Sequence, residues 1–456
     1  MKFDGKKERI EEKLDKLLLL ADKFCSENND IVSCMDTTQI FKWENSYWRT
    51  KKDHEIEIFL LTYDEAFKYL NRNKLKEVFY RIGCLKHRPI NDFNNHDLLD
   101  LENGVLNLQT LEFGDHKKEY LSTTRIPYKY DAAAECPLWL KFLDEVLESN
   151  EKAINTLQEY IGYCLGRDNS FHKALILLGE GRNGKGTTFH VISKLVGNEN
   201  FSALKLQEMN DKETVSRLVG KLVNIDADTA IDASGYEANF RRITAGDIIT
   251  ARFLYKEPFE FVPHVKLIIG ANDLPRISDK THGFYDRLII IPFEVSFYGR
   301  EDRNLKMKLE QEISGILNWA IAGRHRLYKQ GQFTTNETML EAVKELKTEN
   351  NPTELYVEDN VCFRDNIFTS KTDIYNDYVR WCKDNGHHPL SKIKFGKEFF
   401  RCCRTKTKKH ARSDDHNQMH IWPNVYLRNK YPEGPPVHMA GTSTEKVEAK
   451  GDWGWE

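Results

Sequence analysis

Residues 173–188 read KALILLGEGRNGKGTT, and this stretch decides the fold. The run 174–178 is apolar throughout, the pattern of a strand buried on both faces. Gly179, Gly181, Gly184 and Gly186 follow, and FHVISKLVG (189–197) then shows helical spacing. Strand, glycine-rich turn and helix in that order match G-x-x-x-x-G-K. Glycines let backbone N–H groups turn inward as a nest around phosphates. The helix start adds a positive dipole end. Lys185 is placed to reach β and γ phosphates, and a hydroxyl to hold Mg²⁺. The Ser or Thr that usually follows the lysine is Gly186 here, so Thr187, with Thr188 behind it, is the nearest hydroxyl. The expected ligand is ATP with Mg²⁺. The expected contacts are Gly179, Gly181, Asn183, Gly184, Lys185, Gly186, Thr187 and Thr188.

Three more apolar runs follow: KLVNID (221–226), VKLIIGAN (265–272) and RLIIIPF (287–293). Strands alternating with helices predict a mainly parallel sheet covered on both faces. An ATPase needs a carboxylate at the end of a neighbouring strand, to organise Mg²⁺ and polarise water. Asp226 and Asp228 are both candidates, Asp226 also as a metal ligand. Asn272 ends the next run, where an amide can sense a γ-phosphate or orient water. EQEISGILNWAIAGRHRLYKQG reads as a helix ended near Gly331.

Upstream, the first 27 residues look helical and 38–61 hold strand-like aromatics. LLDLENGVLNLQT (98–110) predicts a hairpin turning at Asn103-Gly104. Downstream of 336 the chain is polar and helical, and 372–430 predict a compact helical module ending in a β-hairpin. The tail from 431 is rich in Pro, Gly and charge and is expected to be disordered.

Lys plus Arg total 67 against 70 Asp plus Glu, a net charge of -3, which excludes a wholly basic nucleic-acid binder. Any polyanion site must be local. Nine cysteines form no CxxC and suit reduced thiols. No apolar run approaches the roughly 20 residues that span a bilayer. The expectation is a soluble, cytoplasmic protein with no membrane partner.

Taken in order, LLGEGRNGKGTTF, KLVNIDADT, RRITAGDIITARFLYKEPFEF, VKLIIGANDLP and HGFYDRLIIIPF resemble a superfamily 3 helicase of the phage, plasmid and poxvirus primase–helicase type. The segments 98–110 and 125–143 resemble the region that precedes the helicase in that family, and 315–333 its exit helix. The resemblance implies an α/β fold: an AAA+ P-loop core at 146–335, a mixed α/β domain at 1–145 and a winged-helix-like DNA-binding domain at 336–430. It implies a homo-hexameric ring that hydrolyses ATP, translocates on DNA and unwinds it in replication of a mobile element, with single-stranded, forked and origin DNA as its partners. Thr250 to Phe261 match the family's channel hairpin, with Arg252, Tyr255 and Lys256 as DNA contacts. Arg287 matches its arginine finger, which acts on the neighbouring subunit's ATP. The family often shows two arginines there, and here Asp286 precedes Arg287. It more often ends its carboxylate motif with Glu, so the choice between Asp226 and Asp228 stays open. The catalytic set is Lys185, Asp226, Asp228, Asn272 and Arg287. No acidic cluster for a fused primase is visible in the leading 95 residues, so no primer synthesis is expected.

From Lys394 to Arg412 there are eight Lys/Arg against one acid, Glu398. Arg404, Lys406, Lys408 and Lys409 are the candidate DNA contacts in this run. Cys402, Cys403, His410 and His416 match no standard zinc spacing. Two rivals remain: a P-loop motor that remodels or packages DNA without unwinding, and a DNA-binding regulator. The hairpin cations speak against the first. The phosphate loop and Arg287 speak against the second.

Overall fold

The computed structural model describes residues 18–94, 97–229, 235–273, 282–403, 411–412 and 420–428. The chain forms two units, residues 1–344 and 345–456. The proposed disordered tail and the basic residues 404–409 lie outside the described residues.

In the first unit, residues 18–27 are helical. Strands β1 (Ile31–Cys34), β2 (Gln39–Glu44) and β3 (Tyr47–Lys51) then form an antiparallel meander. Trp43 and Trp48 face each other across β2 and β3 with ring centroids 5.4 Å apart. Helices α1 (Asp53–Tyr63) and α2 (Arg72–Leu85) share a core with this sheet, and α2 buries Leu75, Val78 and Ile82 at helical spacing.

Strands β4 (Leu98–Leu101), β5 (Gly104–Asn107) and β6 (Phe113–Gly114) make a second antiparallel sheet. The turn of the β4–β5 hairpin is Glu102-Asn103, one residue earlier than the sequence suggests, because Leu101 pairs with Gly104. Gly104 is needed for space: a Cβ there would overlap the Phe113 ring and the Gly114 carbonyl. Helix α3 (Pro137–Val146) has Pro137 in its first turn. Its free amides of Leu138 and Trp139 are capped by the Glu312 carboxylate at 3.1 and 3.0 Å.

Helix α4 (Glu151–Cys164) leads into β7 (Ala174–Leu178), the phosphate loop and helix α5 (Lys185–Val196). Strands β8 (Phe201–Ser202) and β9 (Val223–Asp226), helix α6 (Glu237–Ala245), the hairpin β10 (Ile249–Arg252) and β11 (Pro258–Phe261), then β12 (Lys266–Ala271) and β13 (Leu288–Pro292) follow. The central sheet runs β13-β7-β12-β9-β8, and every pairing in it is parallel. β9 and β12 are buried along their whole length and β7 along all but Leu178, as parallel strands covered by helices must be. Helix α7 (Ile313–Gln330) ends at Gly331, whose φ of 74° closes it in the left-handed region. α4 and α7 cross closely: a Cβ on Gly162 would overlap the Ala320 carbonyl, and one on Gly323 the Gln158 carbonyl. Between them the buried Glu159 carboxylate accepts from Arg326 Nε at 2.7 Å and from Thr334 N at 2.8 Å. The β4–β5 hairpin, α3, α4, the sheet and α7 share one apolar core.

The second unit holds α8 (Pro352–Asn360), β14 (Val361–Ser370), α9 (Lys371–Asp384), α10 (Lys392–Cys403), β15 (Ala411–Arg412) and β16 (His420–Leu427). The sheet order is β14-β16-β15, antiparallel. Its core is aromatic, with Tyr378 stacked on Phe395 at 4.3 Å. Among the described residues no helix is long and apolar enough to cross a membrane.

Candidate nucleotide site

The phosphate loop joins β7 to α5. Gly184 has φ of 96° and precedes the first helical residue, Lys185. Gly179 and Gly181 also have positive φ, at 153° and 103°, so the backbone curls as no side-chain-bearing residue readily would. A Cβ on Gly179 would overlap the Phe293 carbonyl, whereas Gly181 and Gly186 face open space. The Asn183 side chain is buried and donates from Nδ2 to that Phe293 carbonyl at 2.8 Å, pinning the loop to the end of β13. Phe297 N donates to the Arg182 carbonyl at 2.8 Å and fixes the outer arm. An open cleft of about 700 Å³ lies along this arm, walled by Leu178–Asn183 and the segment after β13.

Lys185 Nζ turns back to donate to the Gly179 carbonyl, with Asn183 Oδ1 at 3.4 Å. Burial pushes its pKa down, opposed by the Asp228 charge. The two hydroxyls behind it differ. Thr188 is buried and donates to the Gly184 carbonyl at 3.2 Å. Thr187 is half-buried and its hydroxyl makes no side-chain hydrogen bond among the described residues.

Strand order brings the other candidates to the same edge. β12 lies between β7 and β9, with Ala271 paired to Leu178 and Ile269 to Asp226. The carboxyl ends of three adjacent strands therefore converge, the usual place for a ligand in such a sheet. Asp226 is buried and its Oδ2 accepts from Leu206 N at 3.0 Å. Asp228 is exposed two residues later, at the end that holds Lys185. The intervening backbone lies flat on β12. Thr229 N donates to the Gly270 carbonyl at 2.9 Å, and a Cβ on Gly270 would overlap the Ala227 carbonyl. A glycine inside an apolar strand signals such an approach, and it was readable from GAN. Asn272 is exposed beside it, directly after Ala271, whose carbonyl accepts from Gly179 N at 3.1 Å.

Arg287 is not at this edge. It precedes β13, whose Pro292 pairs with Leu178 beside the loop, so it lies about 16 Å away along the strand. Its Nη1 donates to the Gly283 carbonyl, and its buried Nε has no partner among the described residues. The β10–β11 hairpin pairs Arg252 with Pro258. Its tip presents Tyr255, 94% exposed and at φ of 62°, beside the exposed Lys256. Arg252 is exposed and engaged by Glu213, and Phe253 packs on Phe259 with ring centroids 4.9 Å apart. Arg404, Lys406, Lys408 and Lys409 lie outside the described residues.

Three family models match consecutive parts of the chain. These are "D5 N terminal like" over 18–148, a family of unknown function (DUF5906) over 177–287, and "Poxvirus D5 protein-like" over 334–426. The "Putative helicase L207/L206" of Acanthamoeba polyphaga mimivirus is 29% identical over 268 residues, 54% of this chain and 27% of that protein. The "Putative helicase 121R" of Invertebrate iridescent virus 3 is 26% identical over 263 residues, 52% of this chain and 28% of that protein. The matches thus span about a quarter of these relatives' length. Among solved structures, the apo NrS-1 C-terminal region superposes with a TM-score of 0.53 at 11% identity, covering 90% of this chain and 99% of that one. A second apo form of it gives 0.53 at 10% identity. These likenesses show the fold. The ordered D5-type matches and the viral relatives named putative helicases show that the chain is similar to replication proteins of the D5-like primase–helicase type.

Proposed function

We propose that the chain is the motor part of an ATP-dependent replicative DNA helicase: an AAA+ subunit that acts in a homo-hexameric ring and translocates on single-stranded or forked DNA of a mobile element. The observation that carries this reading is the placement of the site in two halves. The phosphate loop, Asp228 and Asn272 share the carboxyl edge of the sheet, while Arg287 stands at the opposite edge. An arginine so far along the strand is out of reach of its own loop's phosphates, which suits a ring that shares its sites between neighbours. The strand order supports an AAA+ core.

Within that reading, the loop amides and Lys185 hold the ATP phosphates. Asn183 keeps the loop open by holding Phe293. Thr187 is the hydroxyl placed to reach Mg²⁺, because Thr188 is already bonded to Gly184. When bound, Mg²⁺ neutralises phosphate charge. Asp228 polarises the attacking water, and Asn272 orients it. The exposed Tyr255 and Lys256 offer a ring for a base and a charge for a phosphate, the pair a moving strand contacts. In the second unit, three helices against an antiparallel sheet suit a winged helix, with the basic run 404–409 as its DNA contact. We place the activity in the cytoplasm, where nine thiols stay reduced.

Strand displacement on a forked duplex with ATP and Mg²⁺ tests the proposal. Wild type should unwind and Lys185→Ala should not. ATPase stimulated by DNA without displacement would overturn the helicase reading in favour of a remodelling or packaging motor.

A further inference from the structure

A second cavity, of about 960 Å³, lies at the amino edge of the central sheet, away from the phosphate loop. Its walls are the segments that enter β7, β9 and β12, the loop around Thr124, and strands β2 and β3. Its volume is within the range of roughly 300–1,000 Å³ that holds small ligands.

One cation there is unusual. Arg167 lines the cavity and donates from Nη2 to Thr124 Oγ1 at 2.7 Å. Among the described residues no carboxylate pairs with it, and burial alone pushes its pKa down. Guanidinium groups so placed normally have an acid partner. The acids of the cavity are engaged elsewhere. Asp97 takes Arg324 Nη2 at 2.9 and 2.7 Å, and Asp168 takes Ser170 Oγ and the Tyr328 hydroxyl. Glu199 lies 3.9 Å from Arg49. Glu55 accepts from Lys52 N at 2.9 Å and lies 3.8 Å from Lys51. Lys221 adds a cation to the wall and donates to the Glu199 carbonyl. The rings of Phe41 and Phe93, 4.8 Å apart, give the cavity an apolar side.

We propose that this cavity is a second phosphate-binding site, distinct from the ATP loop, in which Arg167 grips the phosphate of a nucleotide or of a DNA strand. Thr124 takes one hydrogen of Nη2, and the other Nη2 hydrogen with a neighbouring guanidinium hydrogen forms a fork that a phosphate can take in two parallel bonds. The largely buried Phe41 and Phe93 rings make one wall of the cavity apolar beside it. The site does not depend on the chain hydrolysing ATP.

The test uses the full chain carrying Lys185→Ala, which silences the loop, with inorganic pyrophosphate, ATP and a short oligothymidylate as probes. Calorimetry should show residual binding, weakened about tenfold or more by adding Arg167→Gln and less by Arg167→Lys. Mass spectrometry of phenylglyoxal modification reads the same site without a substitution at Arg167. Bound probe should shield Arg167. Shielding by pyrophosphate and ATP alone assigns a free nucleotide, and shielding by the oligothymidylate alone assigns a strand. If no probe shields Arg167, it is a strut between Thr124 and the sheet, and the proposal falls, whether or not Arg167→Gln folds.

Discussion

Asp226 closes strand β9 with its carboxylate committed to the Leu206 amide, whereas Asp228 stands exposed at the edge that holds Lys185. Their substitutions should separate. Asp226→Ala leaves a buried amide without an acceptor and should cost about 1–3 kcal/mol of stability, seen as a lower Tm. Asp228→Ala removes no such bond. It should leave Tm within a degree or so while ATPase falls by roughly 10²-fold or more. Equal losses of activity with equal losses of Tm would remove the distinction. A second residue-scale test concerns Lys266, buried in β12, whose Nζ donates to the Gly166 and His264 carbonyls at 3.1 and 2.8 Å. Burial pushes its pKa down to about 7 from 10.5. Between those values the unfolded chain binds the proton that the folded chain has released, so stability rises with pH across that window. His264, lowered by burial and then by the Arg167 and Lys266 charges to about 4 from 6.5, adds the same sign lower down. The difference in Tm between wild type and Lys266→Met should therefore grow in favour of wild type from pH 7 to pH 9. Calorimetry at both values reads it, and a flat difference would mean that Lys266 keeps its charge.

At the scale of elements, the crossing of α4 and α7 depends on two glycines that bring backbone onto backbone. Gly162→Ala or Gly323→Ala should force the helices apart and lower stability by about 1–3 kcal/mol or more, measured by denaturant titration. Neither glycine disrupts its helix pattern, so the crossing left no mark on the apolar spacing. The phosphate loop was legible for the opposite reason. Strand, glycine turn and helix are contiguous, and the chemistry needs only local backbone. The convergence of Asp226, Asp228 and Asn272 was half-legible: each follows an apolar run, but only the pairing of β12 between β7 and β9 makes them neighbours. The hairpin turn moved by one residue because Gly104 is required for space beside Phe113, a contact the local pattern does not encode. Arg167, and the ion pair of Arg324 with Asp97 across 227 positions, were hidden for the same reason. Buried charge partners are chosen by packing, and sequence spacing says nothing of them.

At the scale of the whole molecule, the site halves make a prediction about assembly. Lys185 and Arg287 occupy opposite edges of one sheet, so a single subunit cannot bring both to one phosphate chain. Arg287→Ala should bind nucleotide as wild type does and hydrolyse it roughly 10³-fold more slowly, because the arginine acts on transition-state charge rather than on binding. Lys185→Ala should be equally inactive for the other reason. Mixing the two inactive variants then becomes informative. In a ring with heterologous interfaces, random mixing gives about a quarter of the junctions an intact loop on one side and an intact Arg287 on the other. Hydrolysis should reappear in the mixture, towards that fraction of the wild-type rate, and rise with the concentration that drives assembly. Native mass spectrometry of differently tagged chains establishes that mixed oligomers have formed. If they form and the mixture stays as inactive as its parts, Arg287 does not act in trans. Its Nε, without a partner among the described residues, then belongs to the packing of β13, and the shared-site ring loses its support.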